Sequence, residues 1–123
     1  MNQKLNLPYD EGLARDVIAA LQGDIFKPDF DPKTIPLEKV LVPLDAIRGI
    51  KIYSITEGPG KHKAEMGFGG GMRMPAGEYE VPKGKVYATI NTIEVLAGSC
   101  ATYMFSKQKN GLNLERRDVH MQS

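Results

Sequence analysis

The chain has 123 residues, 41% hydrophobic and 25% charged, with a formal net charge of +1 and a single cysteine. That is the size of one ordinary domain with a core of its own; it excludes an intramolecular disulfide framework, and the longest apolar runs fall far short of the ~20 residues that cross a bilayer. Residues 1–60 hold seven Lys/Arg against nine Asp/Glu and residues 61–123 nine against six, a weak dipole that suits head-to-tail association but lacks the basic stripe of a nucleic-acid binder.

The start, Met1-Asn2-Gln3-Lys4, leads into alternating polar and apolar residues and no apolar leader, so no secretion signal is expected. With Cys100 alone, a reducing compartment is expected, either the cytoplasm or a virion assembled there. The first element is a short amphipathic helix: Asp10 is a fitting N-cap, Glu11 suits the positive end of the dipole, Leu13, Val17, Ile18 and Leu21 recur at helical spacing, and Gly23 stops the run. The stretch "DIFKPDFDPKTIPL" follows, in which three prolines forbid regular helix or central strand. An extended arm anchored by Ile25, Phe26 and Phe30 is expected, residues 1–38 forming a unit of helix and arm. Asp24, Asp29 and Asp31 lack the glycine and the terminal glutamate of an EF-hand loop, so no metal is expected there.

From Lys39 the pattern changes to period two. Strand candidates are "KVLVPL" with Pro43 at its end, the run around Ile50, Ile52 and Thr56, then Lys63–Gly67, Met72–Met74, Glu78–Val81, Val86–Ile90, Ile93–Leu96 and Cys100–Ser106. Asn110-Gly111 predicts a type I′ hairpin turn. Pro75 with Gly77 and Pro82 with Gly84 predict two further reversals. Short strands punctuated by Gly and Pro, without helices between them, predict a mainly β fold, a small antiparallel β-sandwich or barrel over residues 39–123.

The glycine cluster in "GFGGGMRMPAGEYEVPKG" fails as a phosphate cradle. The nearest approach to a P-loop, "YEVPKGKV", has Tyr79 where the first glycine belongs and Val86 where the hydroxyl belongs, and G-x-G-x-x-G starting at Gly67 or Gly69 meets Met72 or Met74 at its third glycine. Met66, Phe68, Met72 and Met74 instead surround Gly69-Gly70-Gly71 with adaptable apolar side chains, which predicts either a contact loop or a loosely packed core.

Catalytic candidates are sparse. Cys100 sits in an alternating strand with neither His62, in the charged turn "GPGKHK", nor His120, in the polar tail "RRDVHMQS", placed near it by sequence. One cysteine and two histidines do not make a zinc site by spacing. Glu78 and Glu80 share a strand face, which usually marks a wet face of a sheet, and Ser99 lacks the glycines of a nucleophile elbow. The failed motifs predict a non-enzymatic protein, without cofactor or metal, that self-associates or decorates a larger assembly; the chain resembles in style the small accessory proteins of viral capsids, a likeness of architecture that carries no residues across. Its expected contact residues are Phe26, Phe30, Met66, Phe68, Met72 and Met74, with the helix and arm docking on a neighbour. Two alternatives stand beside it: a small-molecule-binding or enzymatic β-barrel whose cavity Tyr79, Tyr87, Tyr103 and Arg73 would line, and an inhibitor- or immunity-type binding protein.

Overall fold

A computed structural model describes residues 7–44, 46–67, 73–94 and 97–122 of the chain. The chain is mainly β, antiparallel and sandwich-like. Helix α1 (Glu11–Ala20) precedes six strands: β1 (Gly49–Glu57), β2 (Gly60–Gly67), β3 (Arg73–Val81), β4 (Lys85–Glu94), β5 (Ala97–Gln108) and β6 (Gly111–Gln122). Strands β1-β4-β5-β6 form one sheet in that order, and β2 and β3 form a separate two-stranded sheet. No helix of the described residues is long and apolar enough to cross a membrane.

The helix begins as its cap predicts. Asp10 Oδ2 accepts the Leu13 N–H at 2.9 Å, and Ala14, Val17 and Ile18 are fully buried. The proline-rich segment is stitched to the helix end: Arg15 donates to the carbonyls of Pro32 (3.2 Å) and Ile35 (2.8 Å), and Gln22 Nε2 donates to Phe30 O at 2.6 Å. Val17, Ile18, Leu21, Phe26 and Leu37 then share one core with Ile52, Val86, Ala88, Ile90, Ala101, Tyr103 and Phe105. Period two explains the sheet's half of that list, since alternate residues of β4 and β5 point to one face. The narrow apolar stripe of α1 allows packing on its own domain or docking on a neighbour, and it lies against its own sheet.

Several boundaries differ from expectation. "KVLVPL" is no strand: Leu37–Lys39 form one 3₁₀ turn and the chain runs irregularly past Pro43, with a single sheet-like bond from Val42 N–H to Ile50 O. Pro36 and Pro43 remove the donors a ladder would need. Arg73 to Val81 is one strand instead of two with a reversal between them. Pro75 is tolerated because β3 has β2 as its one partner in the sheet, and Gly77 takes φ +140°. Likewise Val86–Ile90 and Ile93 belong to one strand, β4, while Val95 and Leu96 lie outside the described residues. The last hairpin turns on Lys109 and Asn110, because Gln108 pairs with Gly111; Gly111 alone there has positive φ, so the turn is not the expected type I′. The polar tail is strand β6, paired with β5 out to Gln122.

Candidate functional site

The second face of the four-stranded sheet is covered by the β2–β3 hairpin. Alternation in "KHKA" sends His62 and Ala64 inward, where both are buried, and leaves Lys61 and Lys63 outside. On β3 it sends Tyr79 and Val81 inward and leaves Glu78 and Glu80 outside. His62 is therefore not in an exposed turn: it is 0% exposed. Its Nδ1 lies 2.8 Å from Thr56 Oγ1 on β1 and its Nε2 lies 2.7 Å from Thr89 Oγ1 on β4. Thr89 Oγ1 meets Thr102 Oγ1 on β5 at 2.8 Å, and Thr102 Oγ1 meets His120 Nε2 on β6 at 2.7 Å. Five side chains from five strands form one unbroken hydrogen-bonded row beneath the hairpin.

The row ends near solvent. Tyr79 OH donates to Asp118 Oδ2 at 3.2 Å and stands 3.4 Å from His120 Nε2, and Arg116 holds Asp118 Oδ1 at 3.0 Å. Tyr79 and Tyr87 meet edge to face with ring centroids 5.8 Å apart, and both rings flank His62. Burial, and secondarily the nearby His120, pushes the His62 imidazole down to about 4; burial also lowers His120, against the opposing pull of Asp118. The His62 imidazole is therefore neutral at pH 7, and burial disfavours the charged form of His120.

Two further bonds pin the hairpin end. Asn91 Nδ2 donates to Gly67 O at 2.9 Å, and the Cys100 thiol points at Glu65 O, 3.7 Å away. Burial pushes that thiol up to about 12, so Cys100 has no thiolate to offer as a nucleophile. Gly67 is glycine for close approach: a Cβ there would fall 1.5 Å from Tyr53 Oη. The first glycine of the cluster thus answers to a neighbouring ring.

The outer face of the hairpin is open and mixed in charge. Lys61 faces Glu80 at 4.0 Å and Arg73 faces Glu65 at 3.6 Å, with the Arg73 guanidinium 5.6 Å above the Tyr53 ring. A cleft of about 450 Å³ runs here between Lys63, Glu65, Arg73, Met74, Pro75 and Glu78.

Of the residues expected to make contacts, Met74 is half exposed in that cleft and Met66, paired with it across the hairpin, is half-buried. Phe26 is 3% exposed, within the core, and Phe30 packs on the core's edge beside a second open groove of about 420 Å³ with Ile25 and Ile35. Phe68 and Met72 lie outside the described residues. Tyr79, Tyr87, Tyr103 and Arg73 do not converge: the first two flank His62, Tyr103 lies in the core on the opposite face, and Arg73 is outside over Tyr53. Among the described residues no three His, Cys, Asp or Glu side chains gather in a group that could hold a metal ion.

The Thr–His row escaped sequence reasoning, although a signal existed: Thr89, Asn91, Cys100 and Thr102 all fall on the face opposite the apolar one, as His62 does on its own strand. Comparison with family models, curated proteins and solved structures finds no match to this chain.

Proposed function

We propose that this chain is a non-enzymatic interaction protein that self-associates or decorates a larger assembly, meeting its partner with the outer face of the β2–β3 hairpin around Met74. The observation that carries this reading is Met74, 50% exposed at an open cleft on a hairpin whose other face is pinned to the sheet. An exposed methionine on a firmly held platform supplies adaptable apolar contact without ordering a whole segment on binding. Burial argues in the same direction for chemistry: of the nucleophile and the two bases that sequence offered, Cys100 and His62 are sealed from solvent, and His120, half-buried, lies against Thr102. The virion-accessory form of this reading, and a cytoplasmic site of assembly, rest on the style of the architecture and the lone cysteine.

Sedimentation over a concentration series tests the self-associating form at neutral pH. Association that rises with concentration and weakens about tenfold or more in Met74→Glu, roughly 1.4 kcal/mol, is the expected result. A chain that remains monomeric up to millimolar concentration removes self-association.

A further inference from the structure

We propose that the row Thr56–His62–Thr89–Thr102–His120 is a proton-counting latch: it holds the β2–β3 hairpin on the sheet while it carries at most one added proton, and a second proton releases the hairpin.

The count follows from the geometry. Between the two facing Nε2 atoms there are three short gaps, of 2.7, 2.8 and 2.7 Å, and each needs one hydrogen. The hydroxyls of Thr89 and Thr102 supply one each. While Thr102 donates along the row, and not to the Tyr79 phenol that is its other hydrogen-bond partner, the third comes from a ring nitrogen, so one of the two Nε2 atoms carries hydrogen and the other is bare. With both imidazoles neutral the row can run in either direction.

A first added proton fits without breaking anything. His120 is the more accessible ring, and the Asp118 carboxylate on its own strand favours its charged form. Charged, it donates through Nε2 to Thr102; Thr102 donates to Thr89, and Thr89 to His62 Nε2. His62 is thereby driven into the tautomer whose Nδ1–H donates to Thr56 Oγ1. A proton taken up near the surface on β6 therefore sets the state of a buried ring on β2.

A second proton is poorly placed. It must go to His62 Nε2, which sets four hydrogens in three gaps unless Thr102 turns its hydroxyl out of the row to the Tyr79 phenol, and in either arrangement it puts a second cation on the same row, at its buried end. The other group near that nitrogen is Ser54 Oγ, at 3.4 Å, too long for a bond that would replace a 2.7 Å one. Nor is a counter-ion at hand for His62 among the described residues. Facing His62 are Ser54 and Thr56 from β1, Tyr79 from β3, Tyr87 and Thr89 from β4; facing His120 are Tyr79 from β3, Thr102 from β5 and Asp118 from β6, the last already held by Arg116. A cation buried against two tyrosine rings and hydroxyls is costly enough that the ring leaves the sheet instead. His62 is the third residue of β2, opposite Tyr79, so its exit lifts that part of the hairpin off the sheet and leaves the Asn91–Gly67 bond to hold the far end. The latch would then control the contact face proposed above; that consequence rests on the interaction reading, whereas the latch itself does not.

Ring-nitrogen NMR of the whole chain from pH 8 to pH 4, with amide hydrogen exchange on the same samples, tests it. As His120 titrates, His62 should remain neutral and settle into the Nδ1–H tautomer. As His62 then takes up its proton, β2 and β3 amides should lose at least tenfold in protection, corrected for intrinsic rate, while β4 and β5 amides keep theirs. In Thr102→Val the row is cut, and His120 should titrate without setting the His62 tautomer. A His62 tautomer indifferent to His120 in the unaltered chain overturns the proposal, whether or not Thr102→Val folds. So does equal coupling in Thr102→Val, or loss of protection in all strands together. Failure of the contact reading is read separately, from Met74→Glu at neutral pH.

Discussion

The two faces of the four-stranded sheet are made by alternate residues of the same strands, yet they are held by different physics. On one face Val86, Ala88, Ile90, Ala101, Tyr103 and Phe105 meet the helix and the proline-rich segment as an apolar core. On the other, Thr89, Asn91 and Thr102 are equally sealed from water, but Thr89 and Asn91 meet the hairpin through directional hydrogen bonds to His62 and Gly67, and Thr102 joins them through Thr89. Apolar burial is non-directional and indifferent to pH, whereas a buried polar row is stable only when every member has its partner, and it inherits the titration of its histidines. One sheet thus carries a permanent layer on one face and a conditional one on the other.

The largest expected effect is on the permanent side. Phe105 is fully buried at the centre of the apolar face, and Phe105→Ala should lose about 3–5 kcal/mol through lost transfer energy and the cavity left behind. Urea unfolding at pH 7 measures it. The loss should be nearly the same at pH 5.5, since no titrating group lies in that core cluster except the Tyr103 phenol, which burial pushes up and away from this range.

The conditional side should give its largest response to pH. His62 is a base whose folded value, about 4, lies below its ordinary 6.5. The unfolded chain therefore binds the proton first on acidification. Stability is complete above pH 6.5, declines as pH falls, and has lost about 3 kcal/mol from this group by pH 4. Burial moves His120 the same way and adds to the slope. Unfolding free energies measured at half-unit steps should show this decline, and His62→Gln should flatten it whatever that variant's stability at pH 7.

A smaller effect tests whether the faces differ in kind. Thr89→Val and Val86→Thr are near-isosteric exchanges in opposite directions on opposite faces of β4. Both should cost about 1–3 kcal/mol by urea unfolding, the first because it strands His62 Nε2 and the Thr102 hydroxyl, the second because it buries a hydroxyl among apolar groups. Thr89→Val without cost would mean that the polar face is held by packing after all.

How much of this was legible in the sequence divides along the same line. Asp10 and Gly23 bracketed the helix, and Val86–Ile90 and Cys100–Ser106 were legible as strands, because burying alternate apolar side chains needs no named partner. The hydrogen-bonded face was hidden, since Thr89 meets His62 27 residues away in the chain and His120 meets Thr102 18 away. Period two says which residues share a face but not whether that face is wet or covered. Hence His62 between lysines looked like a turn residue and residues 116–122 like a tail. Pro75 misled for a related reason: a proline's meaning in a strand depends on whether the strand has a second neighbour, which is a fact of topology.

The smallest expected effect sharpens the comparison most directly. Asp10 caps α1 on the apolar side, and its side chain satisfies one amide of the first turn. Asp10→Ala should cost about 1 kcal/mol, the ordinary value of a lost N-cap. Measured between pH 5 and 8, the loss should be a constant offset, because the helix packs on the face away from His62 and His120. The hairpin amides should also exchange as in the unaltered chain wherever they open locally, since a local opening does not sense global stability. If losing the cap instead steepened the acid response or loosened β2 and β3, the two layers would be coupled through the sheet, and the hairpin could not move while the core beneath it stays closed.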